Sequence, residues 1–394
     1  MAAAPTSFKR TRSASQSRFS EPSFKRARNE GATPGPAKFD DSYVIDSGFS
    51  NLKGDIYLKV GNTLFPASLE KLQNVEGLFA DLFSIQQPEH ADRIHGLPYC
   101  DMFNCSESEL RVLMKLIHGS KYVFQRKAAS GVTEFNIENI LDALLVSSRL
   151  DLPGIRTQAK EAIHDFFRTM WSHIIYCEPP PEYPVVALTG YTMGKDNALR
   201  VLCFRMIKVF RECELGYCMP MAYYFAAQQT HNDILDGIKL PDGSLLELDH
   251  DDKKKVLKGR EMLRSLRRNV TFMWLIEHAG YPKDYVLLHG CTSREFPKRK
   301  GCYDFIFDLY NLFFSPSSRL LEDRCDALES ISFEAVETMK SHLCPECQVY
   351  FTDRIMYCLL ASWGQIPRIF TGHTWDKLRE KQIQIEANWR ERLS

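Results

Sequence analysis

The sequence predicts an α+β protein, a short mixed sheet flanked by helices, followed by a mainly α-helical C-terminal region. The stretch GDIYLKVGNTLFPASLEKLQ (54–73) is the first reason. Ile56, Leu58 and Val60 alternate with Tyr57 and Lys59, the period of a strand with one buried face, and Gly61-Asn62 supplies a turn. Thr63 to Phe65 then folds back as a second strand, and Pro66 opens a helix in which Leu69 and Leu72 begin an apolar stripe. The second reason is a run of helical patterns after that hairpin. The third is one more short strand, Leu97 to Phe103, set between helical patterns.

The helices follow in order. Leu78, Phe79, Leu82 and Phe83 form one apolar face, and a third strand is expected over Leu97 to Phe103. Ser106-Glu107-Ser108-Glu109 is a capping box, in which hydroxyl and carboxylate satisfy backbone N–H groups at a helix start. Leu110, Leu113, Met114 and Ile117 carry that helix's buried stripe; Ile137, Ile140, Leu141, Leu144 and Leu145 carry the next, and Ile155, Ala159, Ile163 and Phe166 a third. Further on, Pro241-Asp242-Gly243 reads as a turn and Asp249 as the cap of a helix with Val256, Leu257 and Met262 inward. Trp363, Ile366 and Phe370 lead into a Trp375 to Leu393 helix whose Trp375, Leu378, Ile383 and Trp389 staple the C-terminus to the body.

Lys plus Arg and Asp plus Glu both total 50, so no global field draws in nucleic acid. The distribution is uneven: residues 1–40 hold eight basic and three acidic side chains, which leaves the remainder mildly acidic at 42 against 47. Residues 1–48 are rich in Ser, Pro, Ala, Gly and Arg without apolar periodicity and are expected to be a disordered basic tail. SFKRTR recurs in it as SFKRAR, placing Lys9, Arg10, Arg12 and Lys25, Arg26, Arg28 on either side of a 12-residue spacer. The spacing is that of a bipartite nuclear localisation signal; a solvated tail and a mitochondrial presequence are the competing readings. The longest apolar runs, such as Phe272 to Ile276, fall far short of the roughly 20 residues a membrane span needs. Nucleus and cytoplasm are the expected locations.

Residues 54 to about 168 resemble the BTB/POZ domain, on the opening pattern Asp55, Gly61, Phe65, Leu72 and Phe79, with Phe83 following. Ser68 and Glu76 stand where the family has His and Ser. Beyond residue 170 the chain is similar to the helical C-terminal region of the large class of fungal BTB proteins, through LDLPGIRTQAKEAI, LDGIKLPDGSLLELDHDDKKKVLKGREML, CPECQVYF and SWGQIPRIFTGHTWDKL. The resemblance implies a tail over 1–48, a BTB/POZ-like domain over 49–170 and a helical region over 171–394. It further implies a homodimer or partner surface at Leu52, Ile56, Leu69 and Leu72, and protein partners, with a cullin among the candidates.

No constellation for catalysis emerges. TGYTMGKDNA (189–198) has one residue too few between its glycines for a phosphate-binding loop, and Asp196 replaces the magnesium-binding Ser or Thr. Lys253 to Lys255 and Arg264 to Arg268 lie among acidic neighbours and read as solvated helix surface, so direct nucleic-acid binding is not expected. His118, His164 and His289 read as packed or capping residues. The 12 cysteines are scattered, which predicts buried free thiols. Cys344-Pro345-Glu346-Cys347 is the metal candidate, since two thiolates three apart bite one zinc ion. His342, Cys325, Cys291 and Cys302 are available as further ligands, but no second C-x-x-C exists, which favours buried, redox-idle thiols as the competing reading. The expected cofactor is none, or one structural zinc.

The expectation is therefore a non-enzymatic interaction module or adaptor, in which a BTB-like domain self-associates or docks a partner. A substrate adaptor of a cullin-type ubiquitin ligase is one use and a nuclear transcription-regulatory scaffold the other. From a different class, a zinc-stabilised or hydrolytic enzyme in the C-terminal region is the alternative.

Overall fold

The computed structural model describes residues 42–84, 93–120, 122–127, 133–176, 195–240, 243–279, 291, 301–315, 325–328 and 342–393. Lys9, Arg10, Arg12, Lys25, Arg26 and Arg28, most of the 189–198 turn, and His289 lie outside the described residues. The fold is mixed α+β, dominated by helix, with a small curled sheet and a helical C-terminal region.

Strand β1 (Val44–Ile45) starts the sheet, inside the stretch expected to be tail. β2 (Ile56–Val60) and β3 (Thr63–Ala67) form an antiparallel hairpin around Gly61, whose φ of +55° suits glycine. β4 (Arg93–Ile94) and β5 (Leu97–Asp101) pair antiparallel, β5 runs parallel to β2, and β1 parallel to β3, giving the order β1-β3-β2-β5-β4. Pro66, expected in a helix, is instead in β3; it lies beyond Leu64, where β1 ends, so β3 has a free side there and the missing N–H is tolerated. The helix starts later, as α1 (Leu69–Gln73), with Ser68 as its N-cap and Asp55 accepting from the Leu69 N–H at 3.2 Å. Phe103, expected to end the third strand, is 87% exposed past the end of β5.

One face of the sheet, with Ile56, Leu58 and Phe65, packs onto Leu72 of α1 and onto Phe79 and Phe83 of α2 (Leu78–Ser84), while Leu78 turns outward. The other face carries a small cluster of Tyr57, Leu64 and Ile94 flanked by Tyr43, Ile45, Leu97 and Tyr99. α3 (Glu107–Ile117) begins at the predicted capping box. After the β6–β7 hairpin (Gln125–Lys127, Thr133–Phe135) come α4 (Ile137–Arg149) and α5 (Pro153–Tyr176), the latter crossing the boundary expected at 170. The apolar core is continuous across it, from Phe49 to Phe370. It takes in α6 (Lys195–Glu212), α7 (Met219–Ala227), α8 (His231–Asp236), the β8–β9 pair (Ile238–Lys239, Leu245–Leu246) and α9 (His250–Leu266).

Charged seams cross this core. Arg149 of α4 pairs with Glu109 of α3 at 2.9 Å and with Glu212 of α6 at 2.8 Å, and Asp142 pairs with Arg205 of α6. Asp249 caps α9 as predicted, and Asp252 takes both Arg211 and the Tyr223 hydroxyl. The inward stripe of α9 is Val256, Gly259, Arg260 and Leu263; Met262, expected inside, is 40% exposed. At Gly259 a Cβ would stand 2.1 Å from the Phe370 ring, so only glycine admits that ring, which stacks on Tyr223.

A π-helical turn (Arg267–Thr271) redirects the chain into α10 (Met273–Ala279), and α11 (Cys302–Phe314), α12 (Pro345–Thr371) and α13 (Trp375–Leu393) follow. The staple is real and has a specific cause. Pro367 inside α12 has no N–H for the Trp363 carbonyl four residues back, and the Trp375 indole N–H donates to that carbonyl at 3.0 Å. The two indoles stack at 4.6 Å, Leu378 is buried, and Lys160 of α5 reaches Glu386. Ile383, expected in the staple, is 60% exposed, and the side chain of Trp389 lies outside the described residues.

Two measurements test these interactions. Trp375→Phe keeps an aromatic ring but removes the donor, and should cost about 1–2 kcal/mol in urea denaturation. Pro367→Ala, which restores a backbone N–H, should recover part of that loss in the Trp375→Phe background while helping little in the parent chain. Burial raises the Glu138 carboxyl to about 7, with Arg205 opposing and Asp142 adding to the rise. Its folded value thus exceeds the ordinary 4.5, so the group penalises folding fully above about pH 7, and the penalty fades as pH falls toward 4.5. Glu138→Gln should remove a decline in stability on the order of 2 kcal/mol across that window; an unchanged slope refutes the assignment.

Candidate metal centre

Two helix starts meet at one point. α11 begins with Gly301 as N-cap and Cys302 as its first residue; α12 begins with Cys344 as N-cap, Pro345 next, and Cys347 in its first turn. The C-P-E-C spacing puts both sulfurs of α12 on one side of the same turn, and neither helix start has a side-chain cap hydrogen bond. The Cys344 N–H instead donates to the Cys302 sulfur at 3.2 Å, and the Cys344 and Cys291 sulfurs lie 3.9 Å apart. All four sulfurs, of Cys291, Cys302, Cys344 and Cys347, fall within 4.8 Å of one another.

This group fits a metal ion. A tetrahedral zinc–thiolate site has Zn–S bonds of about 2.3 Å, which place its sulfurs about 3.8 Å apart. The 3.9 Å pair already has that spacing, and the rest need to close by at most about 1 Å to reach it. Four thiolates on a divalent ion leave two net negative charges, and the aligned N-terminal dipoles of α11 and α12 offset charge of that sign.

Cys302 is held well below the ordinary thiol range, first by its hydrogen bond with Cys347, against burial, and then by the Cys344 N–H and by the Cys291 and Cys344 thiols. Cys347 moves steeply the other way, because Cys302 accepts its proton and burial adds to the effect. Cys302, Cys344 and Cys347 are buried and Cys291 is half-buried. Around them a second apolar cluster gathers Phe272, Trp274, Leu275, Ile306, Phe351, Ile355 and Leu359.

Of the ligands offered by sequence to complete the C-x-x-C pair, the fold selects Cys291 and Cys302. His342 stacks on Phe305 at 4.9 Å instead. Cys325 lies in the main core, where its thiol donates to the Ala227 carbonyl and the Gln228 side chain at 3.1 Å each. No spacing rule points to the chosen pair, which stand 11 residues apart in different local structure. All the cysteines among the described residues are reduced, and most are buried, as expected.

The other singled-out residues sort differently. Asp55 tethers the start of α1, Gly61 makes the turn, and Phe65, Leu72, Phe79 and Phe83 are core. That corrects the surface expectation for two of its four members: Ile56 and Leu72 are buried in the chain's own core, and Leu52 and Leu69 are half-buried against it. His118 caps α3 beside Lys71, and His164 packs on Tyr217. Lys253 pairs with Glu247 and Arg264 with Glu261, while Arg267 is buried over Phe272. A cleft of about 840 Å³ beside α3 holds Arg111 and Asp46, already paired with each other at 2.7 Å. No helix among the described residues is long and apolar enough to cross a membrane. No family model, curated protein or solved structure matches the chain.

Proposed function

We propose that this chain is a non-catalytic protein-interaction scaffold whose C-terminal helical region is pinned by one structural zinc ion held by Cys291, Cys302, Cys344 and Cys347. The observation that carries the zinc assignment is the convergence of four sulfurs from three separate chain segments within 4.8 Å. An all-thiolate set favours zinc or iron over oxygen-seeking ions such as magnesium or calcium. It also fills the coordination sphere, whereas catalytic zinc keeps a position for water or substrate. That argues for a structural ion over the hydrolytic alternative.

The scaffold part rests on the BTB/POZ-like signature. Asp55 tethers α1, Gly61 makes the β2–β3 turn, and Phe65, Leu72 and Phe79 are buried where the sheet meets the α1–α2 pair, which supports reading this part as a platform of that kind. On this reading the platform pairs with a second copy or a protein partner through Leu52 and Leu69, beside the edge of the sheet. Use as a cullin-linked substrate adaptor and use as a nuclear regulatory scaffold are the two ways such a platform would serve.

Metal analysis of the purified full-length chain should give about one equivalent of zinc, falling below about a tenth in Cys347→Ser and unchanged in Cys325→Ser. A wild-type value near zero, or a loss in Cys325→Ser equal to that in Cys347→Ser, defeats the assignment. Light scattering at tens of micromolar should return a dimer that Leu69→Arg converts to monomer, a pairing that buries about 1,000 Å² or more. A strictly monomeric wild type counts against self-association.

A further inference from the structure

The four sulfurs are not equivalent. Cys302 and Cys347 are buried and lie within helical turns, which fixes their backbone. Cys344 is an N-cap with extended backbone, φ −68° and ψ 159°, whose carbonyl accepts the first bond of the helix, from the Gln348 N–H at 2.9 Å. Cys291 lies outside any helix or strand and is half-buried. The Cys291 and Cys344 sulfurs lie 3.9 Å apart. A disulfide needs about 2 Å less than that, a shift Cys291, outside any helix or strand, can supply.

We propose that Cys291 and Cys344 are a peroxide-sensitive modification site that releases the zinc ion on oxidation; this rests on the zinc reading above. The Cys291 sulfur attacks one oxygen of hydrogen peroxide, the O–O bond breaks, and the departing hydroxide takes a proton to become water. Cys291 is now a sulfenic acid, two electrons poorer. The Cys344 sulfur attacks it, the S–S bond forms, the S–O bond breaks, and a second hydroxide leaves and is protonated to water. In total, two thiolates become one disulfide while one peroxide and two protons become two waters. Zinc retains only Cys302 and Cys347 and passes to solvent, where those sulfurs take up protons. Cys291 is the entry point because oxidant reaches a half-buried sulfur before those of Cys302 and Cys347, at 2% and 7% exposure.

The test uses the zinc-loaded, full-length wild-type chain. Its zinc content is measured first; peroxide is then added with a chromogenic zinc chelator present, and the alkylated product is mapped by non-reducing peptide mass spectrometry. About one equivalent of zinc should be released per disulfide formed, the disulfide should join Cys291 to Cys344, and dithiothreitol with added zinc should restore binding. In Cys291→Ser, whatever zinc remains bound should be released at least about tenfold more slowly. A Cys344–Cys347 disulfide, or oxidised sulfur with zinc retained, overturns the proposal. A chain that holds zinc but resists peroxide sinks this inference alone, whereas a chain without zinc beforehand sinks the zinc reading itself. If Cys291→Ser fails to fold, the wild-type peptide map still decides.

Discussion

Helix α12 belongs to two hydrophobic cores at once, and the C-terminal half of the chain is organised by that fact. Its first turns contribute Cys347, Phe351, Ile355 and Leu359 to the cluster around the thiols, and its last contribute Ile366 and Phe370 to the main core. At 27 residues it is about 40 Å long, a strut between the two. Ser362 marks the crossover, where its hydroxyl meets that of Thr271 in the π-helical turn at 2.9 Å. The turn and the helix therefore change clusters together: Leu266 before the turn packs in the main core, and Phe272, Trp274 and Leu275 after it pack in the second. A π-turn shifts the register of the outward face, and here it passes the apolar stripe from one cluster to the other.

Much of the sheet platform was legible in the sequence, because its signals are local. Alternation of Ile56, Leu58 and Val60, the Gly61 turn and the Ser106–Glu109 box each depend on residues a few positions apart, and each appears where expected. Errors came where a neighbour decides. Pro66 looks like a helix start until the strand beside it is known to end at Ile45. Met262 and Leu263 are adjacent apolar residues, and which faces inward depends on Phe370 seating against Gly259 one turn earlier. Ile383 fits a helical stripe, yet the buried contacts of α13 run through Leu378 and Gln382.

The thiol centre was half legible for the same reason. Cys344 and Cys347 announce themselves by spacing, which one helical turn enforces. Cys291 and Cys302 do not, since their meeting with α12 depends on how α11 lies against it, with Cys302 and Cys344 separated by 42 positions. His342, nearer in sequence than either, is diverted by Phe305. Proximity along the chain is a poor guide once an aromatic ring offers a competing surface.

The distances along the chain also say what a metal ion would contribute. Joining residues 291 and 344 closes a loop of 53 residues, and joining 302 to 344 closes one of 42. Loop-closure entropy grows with the logarithm of length, so tying both at once removes more freedom from the unfolded chain than any single short staple. Without the ion, the neutral thiols remain compatible with their apolar surroundings, because a buried cysteine packs as a small hydrophobe. An ion there would change the second cluster from one held by packing alone to one held by packing and four bonds. The main core contains none of those ligands and has no such dependence. Binding energy released at the thiols would reach it through the two elements that span both clusters, α12 and the π-helical turn tied to it by Ser362 and Thr271, so the strut carries the state of the sulfurs into the rest of the molecule.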